Sequence, residues 1–130
     1  MAERPAPSTK PVLGKLLLKP GSRVLVLNAP TGYADQFPSD GRVEQEIGDG
    51  EYDFIQVFAR RRDDLIALGP GLRRALKAGG LLWVAYPKGK ALQTDLNRDI
   101  VRTTLSEVGL EVVSQVAIDD TWSALRAKVV

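Results

Sequence analysis

Three runs of apolar residues with no polar alternation organise this chain: "RVLVLN" from Arg23, "YDFIQVF" over 52–58 and "LLWVAY" over 81–86. Strands that are apolar at successive positions suit a parallel sheet covered by helices on both faces. Helical spacing lies between the second run and the third. In "ARRRDDLIALGPGLRRALKAGG", Leu65, Ile66, Leu68, Leu72 and Leu76 form an apolar stripe, with Asp63 or Asp64 at its start and Gly79-Gly80 at its end. Pro70 interrupts that stripe: it donates no backbone hydrogen bond and disfavours helical geometry in the residue before it, which predicts a kink or two short helices. A second helix is predicted in "TDLNRDIVRTTLSEVG", where Leu96, Ile100, Val101, Leu105 and Val108 share one face, Thr94 is the N-cap and Gly109 the stop.

The remaining segments complete the pattern. "VLGKLLLKPGS" puts Leu13, Leu16 and Leu17 on one face of a short helix that a type II turn at Pro20-Gly21 ends. "RVEQEI", 42 to 47, reads as a short edge strand, and "EVVSQVAIDDTWSALRAKV" as a closing antiparallel hairpin around Asp119-Asp120. Strands alternating with helices place the chain in the α/β class: a single-domain, three-layer sandwich with a mostly parallel sheet and an antiparallel hairpin at its C-terminal end.

Composition narrows the chemistry more than it narrows the fold. At 130 residues the chain is one domain, 12–130, behind a polar, proline-containing tail, 1–11, expected to be disordered. The sequence contains neither cysteine nor histidine, which removes disulfides, thiolate nucleophiles, the commonest general base and the commonest zinc ligand. No catalytic residue and no metal site is assigned. A net charge of +2 is too balanced to predict nucleic-acid binding, and Arg60, Arg61 and Arg62 are followed at once by Asp63 and Asp64. With no secretory signal and no apolar run long enough to span a bilayer, a cytoplasmic location with no membrane contact is expected.

"LKPGSRVLVLNAPTG", "LKAGGLLWVAYPK" and the closing hairpin resemble parts of class I S-adenosylmethionine (AdoMet)-dependent methyltransferases, with one strand-helix unit missing. The resemblance implies a shortened, Rossmann-like methyltransferase fold with its ligand beyond the carboxyl ends of the strands. The family's loop has an acid in the first strand followed by three alternating glycines; here Val26 stands at the acid, Asn28 and Pro30 at the first two glycines, and Gly32 at the third. Because Pro30 supplies no N–H and fixes its own φ, the loop is expected to have abandoned AdoMet, and no cofactor is expected. Glu44 or Glu46 stands where an acid would meet a ribose, but a surface role is expected of both. More finely, "VLVLNAP", "GYAD", "YPKG", "TDLNRD" and "QVAIDDTWSALR" are similar to a small bacterial family known as a domain of unknown function, which implies a fold and no particular activity.

The expected topology gathers Asn28, Tyr86, Lys88, Thr94, Asn97, Arg98, Asp119, Asp120 and Trp122, with Asp95, at the carboxyl rim of the sheet. A helix N-terminus there favours anions, with Lys88 and Arg98 as charge partners. Singly, these residues also have structural readings: Asp119 and Asp120 as turn residues, Thr94 and Asp95 as caps, Trp122 as core. The leading expectation is a noncatalytic domain binding a small anionic ligand or a protein partner at that rim. The alternatives are an AdoMet-dependent methyltransferase with an atypical cofactor loop, and a nucleic-acid-associated protein using the arginines at 60 to 62, 73 and 74.

Overall fold

The computed structural model describes residues 16–19, 21–33 and 42–129. Six strands form one sheet: β1 (Arg23–Leu27), β2 (Arg42–Glu44), β3 (Tyr52–Phe58), β4 (Leu76–Pro87), β5 (Leu110–Ala117) and β6 (Trp122–Val129), in the order β2-β1-β3-β4-β6-β5. The pairs within β2-β1-β3-β4 are parallel, while β6 runs antiparallel to both β4 and β5. This is the mostly parallel α/β sheet with a C-terminal antiparallel hairpin that the pattern predicts, and both described α-helices lie on one of its faces. Alternate side chains of each run feed two cores: Leu25, Ile55, Val57, Leu82 and Val84 pack on the face that carries the helices, and Val24, Val26, Phe54, Trp83 and Ala85 on the other. The tail, and most of the helix expected before Pro20, lie outside the described residues. That segment's described end, 16–19, is turn and coil with Leu17 at φ +65°, so no helix runs up to Pro20; the turn that follows closes as expected, with Ser22 N–H donating to the Lys19 carbonyl (3.3 Å) and Gly21 at φ +79°.

Two helices cover the first core. The helix α1 (Arg62–Ala75) runs through Pro70 without division, contrary to the expected break. Pro70 is exposed, so the carbonyl it fails to bond lies on the solvent side, while Leu65, Gly69, Leu72 and Ala75 hold the buried side. Tertiary packing of that face outweighs the local cost. Gly69 permits a close approach of the turn that follows the second helix: a Cβ there would stand 3.0 Å from Val108 Cγ2. The stop is also earlier than Gly79-Gly80, because Leu76 already pairs with Tyr52 as the first residue of β4. The glycines serve an excursion at 77–80 instead. Gly79 takes φ +79°, and a Cβ on Gly80 would lie 2.9 Å from the Lys77 carbonyl oxygen and 3.1 Å from that of Asp53. Asp53 also fastens this edge, since the backbone N–H of Arg23 and the Lys77 ammonium hold its carboxyl below the ordinary range.

The helix α2 (Arg98–Ser106) starts later than its pattern predicts, because Asn97 and not Thr94 is the N-cap. Asn97 Oδ1 accepts the Ile100 N–H at 2.8 Å. Thr94 is drawn elsewhere: its hydroxyl donates to the Arg60 carbonyl and accepts the Leu96 N–H, tying the loop before α2 to the end of β3. Shortening is visible at β2. Residues 45–51 return directly to β3 without a helix, so β2 is an edge strand of three residues. Glu44 is bound by Arg23 Nε (2.8 Å) and the Tyr52 hydroxyl (2.7 Å), the first residues of β1 and β3, at the opposite end of the sheet from the rim.

Candidate functional site

The carboxyl edge of the sheet carries two separate clefts. The first, about 440 Å³, opens where β1 and β3 end, between the loop at Asn28, Ala29 and Pro30 and a wall of Phe58, Arg60, Asp64 and Trp122. Asn28 adopts φ +60°, the left-handed conformation that most side chains avoid and that asparagine tolerates through its short polar group. Gly32 follows at φ +84°, and the position of its missing Cβ faces open space. Tyr33 N–H donates to the Pro30 carbonyl at 3.0 Å. The loop thus turns as a glycine loop does, with asparagine supplying the one unusual dihedral at the strand end.

Beneath the loop, Tyr33 is buried and its hydroxyl donates to Gln56 Oε1 at 2.7 Å. The Tyr33 ring meets Phe58 edge-on at 4.8 Å, and Phe58 meets Trp122 at 4.9 Å, so an aromatic row supports the cleft floor. Gln56 Nε2 is buried with no hydrogen-bond partner among the described residues. Burial pushes the Tyr33 phenol up to about 12, outweighing the opposing hydrogen bond to Gln56. Its folded pKa lies above the unfolded value, so the associated stability is fully present below pH ~10 and is lost as pH rises through ~12. In urea titrations between these limits, the wild type is expected to lose roughly 2–3 kcal/mol more than Tyr33→Phe. Parallel losses in the two proteins would show that Tyr33 ionises unperturbed.

The second cleft, about 700 Å³, lies on the helix face of the rim, where β4 ends in a 3-10 segment (Lys88–Gln93) and α2 begins. It brings together Tyr86, Lys88, Thr94, Asn97 and Arg98, with Asp95 beside them. Ile100, Gln115, Ala117 and Ser123 close it from α2 and the hairpin. Asp95 is already engaged, accepting the Arg62 N–H at 2.9 Å and facing Arg61 Nε at 3.9 Å.

The residues expected at one rim are therefore divided. Asn28 and Trp122 belong to the first cleft, and Tyr86, Lys88, Thr94, Asn97 and Arg98 to the second. Asp119 and Asp120 line neither. Asp119 Oδ1 accepts the N–H groups of Thr121 and Trp122, both at 2.8 Å, which makes it a turn former. Sequence reasoning missed Phe58, Arg60 and Asp64 as cleft residues. Their only signal was position, directly after the second apolar run. No group of three or more metal-ligating side chains occurs among the described residues.

No protein-family model and no curated protein matches this chain, so the finer bacterial resemblance rests on the quoted segments alone. Solved structures do match. An S-adenosylmethionine-dependent methyltransferase from Clostridium acetobutylicum aligns with TM-score 0.68 at 10% identity, covering 98% of this chain and 93% of its own. One from Aquifex aeolicus has TM-score 0.68 at 16% identity, with 94% and 89% covered. The fold is methyltransferase-like. The CcbJ methyltransferase of Streptomyces caelestis agrees, with TM-score 0.64 at 12% identity over 96% and 90% of the two chains. At such identities the likeness concerns the fold. It nevertheless corrects the expectation that no cofactor is used, because the C. acetobutylicum and A. aeolicus proteins are both S-adenosylmethionine-dependent. The loop also keeps one property of a glycine loop, since Asn28 adopts the left-handed region, although the N–H that Pro30 lacks stays missing.

No helix among the described residues is long and apolar enough to cross a membrane.

Proposed function

We propose that this chain is an AdoMet-dependent methyltransferase whose cofactor loop is built on asparagine and proline in place of the usual glycines. The observation that carries the reading is Asn28 at φ +60° where β1 ends, in a sheet whose solved neighbours are methyltransferases. The chemistry of the first cleft fits the molecule. Arg60 is exposed and makes no ion pair among the described residues, so its guanidinium suits a carboxylate tail. Asp64 offers negative charge for an amine or a sulfonium, Phe58 and Trp122 an apolar wall for a purine, and the open side of Gly32 room for close approach to backbone.

When bound, AdoMet supplies an electrophilic methyl group on a positively charged sulfur. The chain's own contribution would be positional. Arg60 and Asn28 would hold the two ends of the cofactor, and the aromatic row beneath the loop would fix the floor against which it is oriented. Since the sequence contains neither imidazole nor thiolate, any general base from this chain would be a carboxylate, an amine or a phenol.

Thermal unfolding with AdoMet or S-adenosylhomocysteine tests the reading. A ligand at about 100 times its Kd stabilises by roughly 2.7 kcal/mol, which raises the midpoint by several degrees in a domain of this size. Arg60→Ala should diminish that rise at the same concentration. A midpoint unmoved by both compounds at millimolar concentration would refute the proposal.

A further inference from the structure

We propose that the second cleft is a binding site for a small organic anion, in which Lys88 and Arg98 take a carboxylate or phosphate group and the Tyr86 hydroxyl completes its coordination. The site shares no lining residue with the first cleft and stands apart from the cofactor reading. It exists because α2 is only nine residues long. The helix covers the lower half of the hairpin at Leu110 and Val112, leaving the upper half, at Ala117 and Ser123, open to the space in front of the helix start.

Three features set the chemistry of that space. Its positive charge is poorly compensated: Lys88 is half-buried without an ion pair among the described residues, and Arg98 meets only its neighbour Asp99, at 3.9 Å. Asp95, the carboxylate among the cleft's lining residues, is occupied by the entrance to α1. The first backbone N–H groups of α2 add positive potential of their own.

The independent observation is Tyr86. It is 5% exposed and lines the cleft, and its hydroxyl makes no hydrogen bond among the described residues. The ring is held in the core while the hydroxyl reaches the open cleft, where a ligand oxygen would meet it. Beside these polar groups Ile100 and Ala117 offer apolar surface, so an anion carrying an aryl or short alkyl body fits better than a bare ion.

The test is an amide-shift titration of the full chain with phenyl phosphate, using inorganic phosphate and benzyl alcohol as controls. Expected are shifts centred on Lys88, Gly89, Arg98 and Gln115, with phenyl phosphate binding more tightly than either control. Lys88→Ala and Arg98→Ala should each weaken it by about tenfold, and Tyr86→Phe by about threefold, with unfolding midpoints near that of the wild type for both cation variants. Equal binding of inorganic and phenyl phosphate, unchanged binding in both cation variants, or no shift at these residues up to about 10 mM ligand would each overturn the proposal.

Discussion

Trp83→Ala is expected to destabilise the fold by about 3–5 kcal/mol and to lower the unfolding midpoint by roughly 10–20 °C. Trp83 lies at the middle of β4, 1% exposed, in the core opposite the helices, among Leu16, Val24, Phe54 and Phe58. Truncation removes the largest fully buried side chain among the described residues and leaves a cavity in the core on that face of the sheet. It also orphans a buried acceptor, because Trp83 Nε1–H donates to the Leu16 carbonyl at 2.9 Å. Trp83→Phe separates the two effects. It keeps most of the ring volume and loses the donor, so a loss of about 1–3 kcal/mol is expected. Chemical denaturation of the three proteins measures both differences. A Phe variant as damaged as the Ala variant would mean that the bond to Leu16, and not the packing, dominates.

Asn28→Val is expected to abolish most AdoMet binding, while Asn28→Gly retains it within a few-fold. The distinction follows from φ. A β-branched side chain held at +60° costs about 1–3 kcal/mol, which the loop relieves by leaving its turn; the cofactor must then restore the turn, weakening binding by roughly 10- to 100-fold. Glycine adopts the same dihedral freely and loses only the side-chain amide. Calorimetric titration of the two variants measures the difference. Equal, large losses would assign the role of Asn28 to its amide, and equal retention would remove the loop from the site.

The same residue shows how far the fold and the site can be read from the sequence. The strands β1, β3 and β4 are legible because runs such as "RVLVL" are apolar on both faces, and few environments other than a covered sheet accept that pattern. The hairpin is legible from its strand propensity and the Asp119 turn. Events decided by tertiary context were not. Pro70 reads as a breaker by its own chemistry, but the helix persists because Leu65, Leu72 and Ala75 are buried around it. Thr94 reads as a cap by residue type, yet it bonds the Arg60 carbonyl across the rim, and Asn97 caps in its place.

The candidate site was half visible for a related reason. Tyr86, Lys88 and Arg98 follow directly from where β4 ends and α2 begins, so topology alone brings them together. Arg60 and Asp64 sit in a charged run that reads as a solvated helix entrance, and only the fold reveals that this entrance borders the loop after β1. The loop was judged by the identity of its residues, whereas what matters to a ligand is the dihedral those residues adopt. Asn28 and glycine differ in the first respect and agree in the second.

The central claim is that the cleft formed by Asn28, Pro30, Phe58 and Arg60 seats AdoMet. An amide-resolved titration with S-adenosylhomocysteine tests it most directly. The account predicts saturable shifts at residues 28–33 and 58–64, with the second cleft at Lys88 and Arg98 little affected. Saturable shifts confined to another part of the chain, or none at these residues, would contradict it.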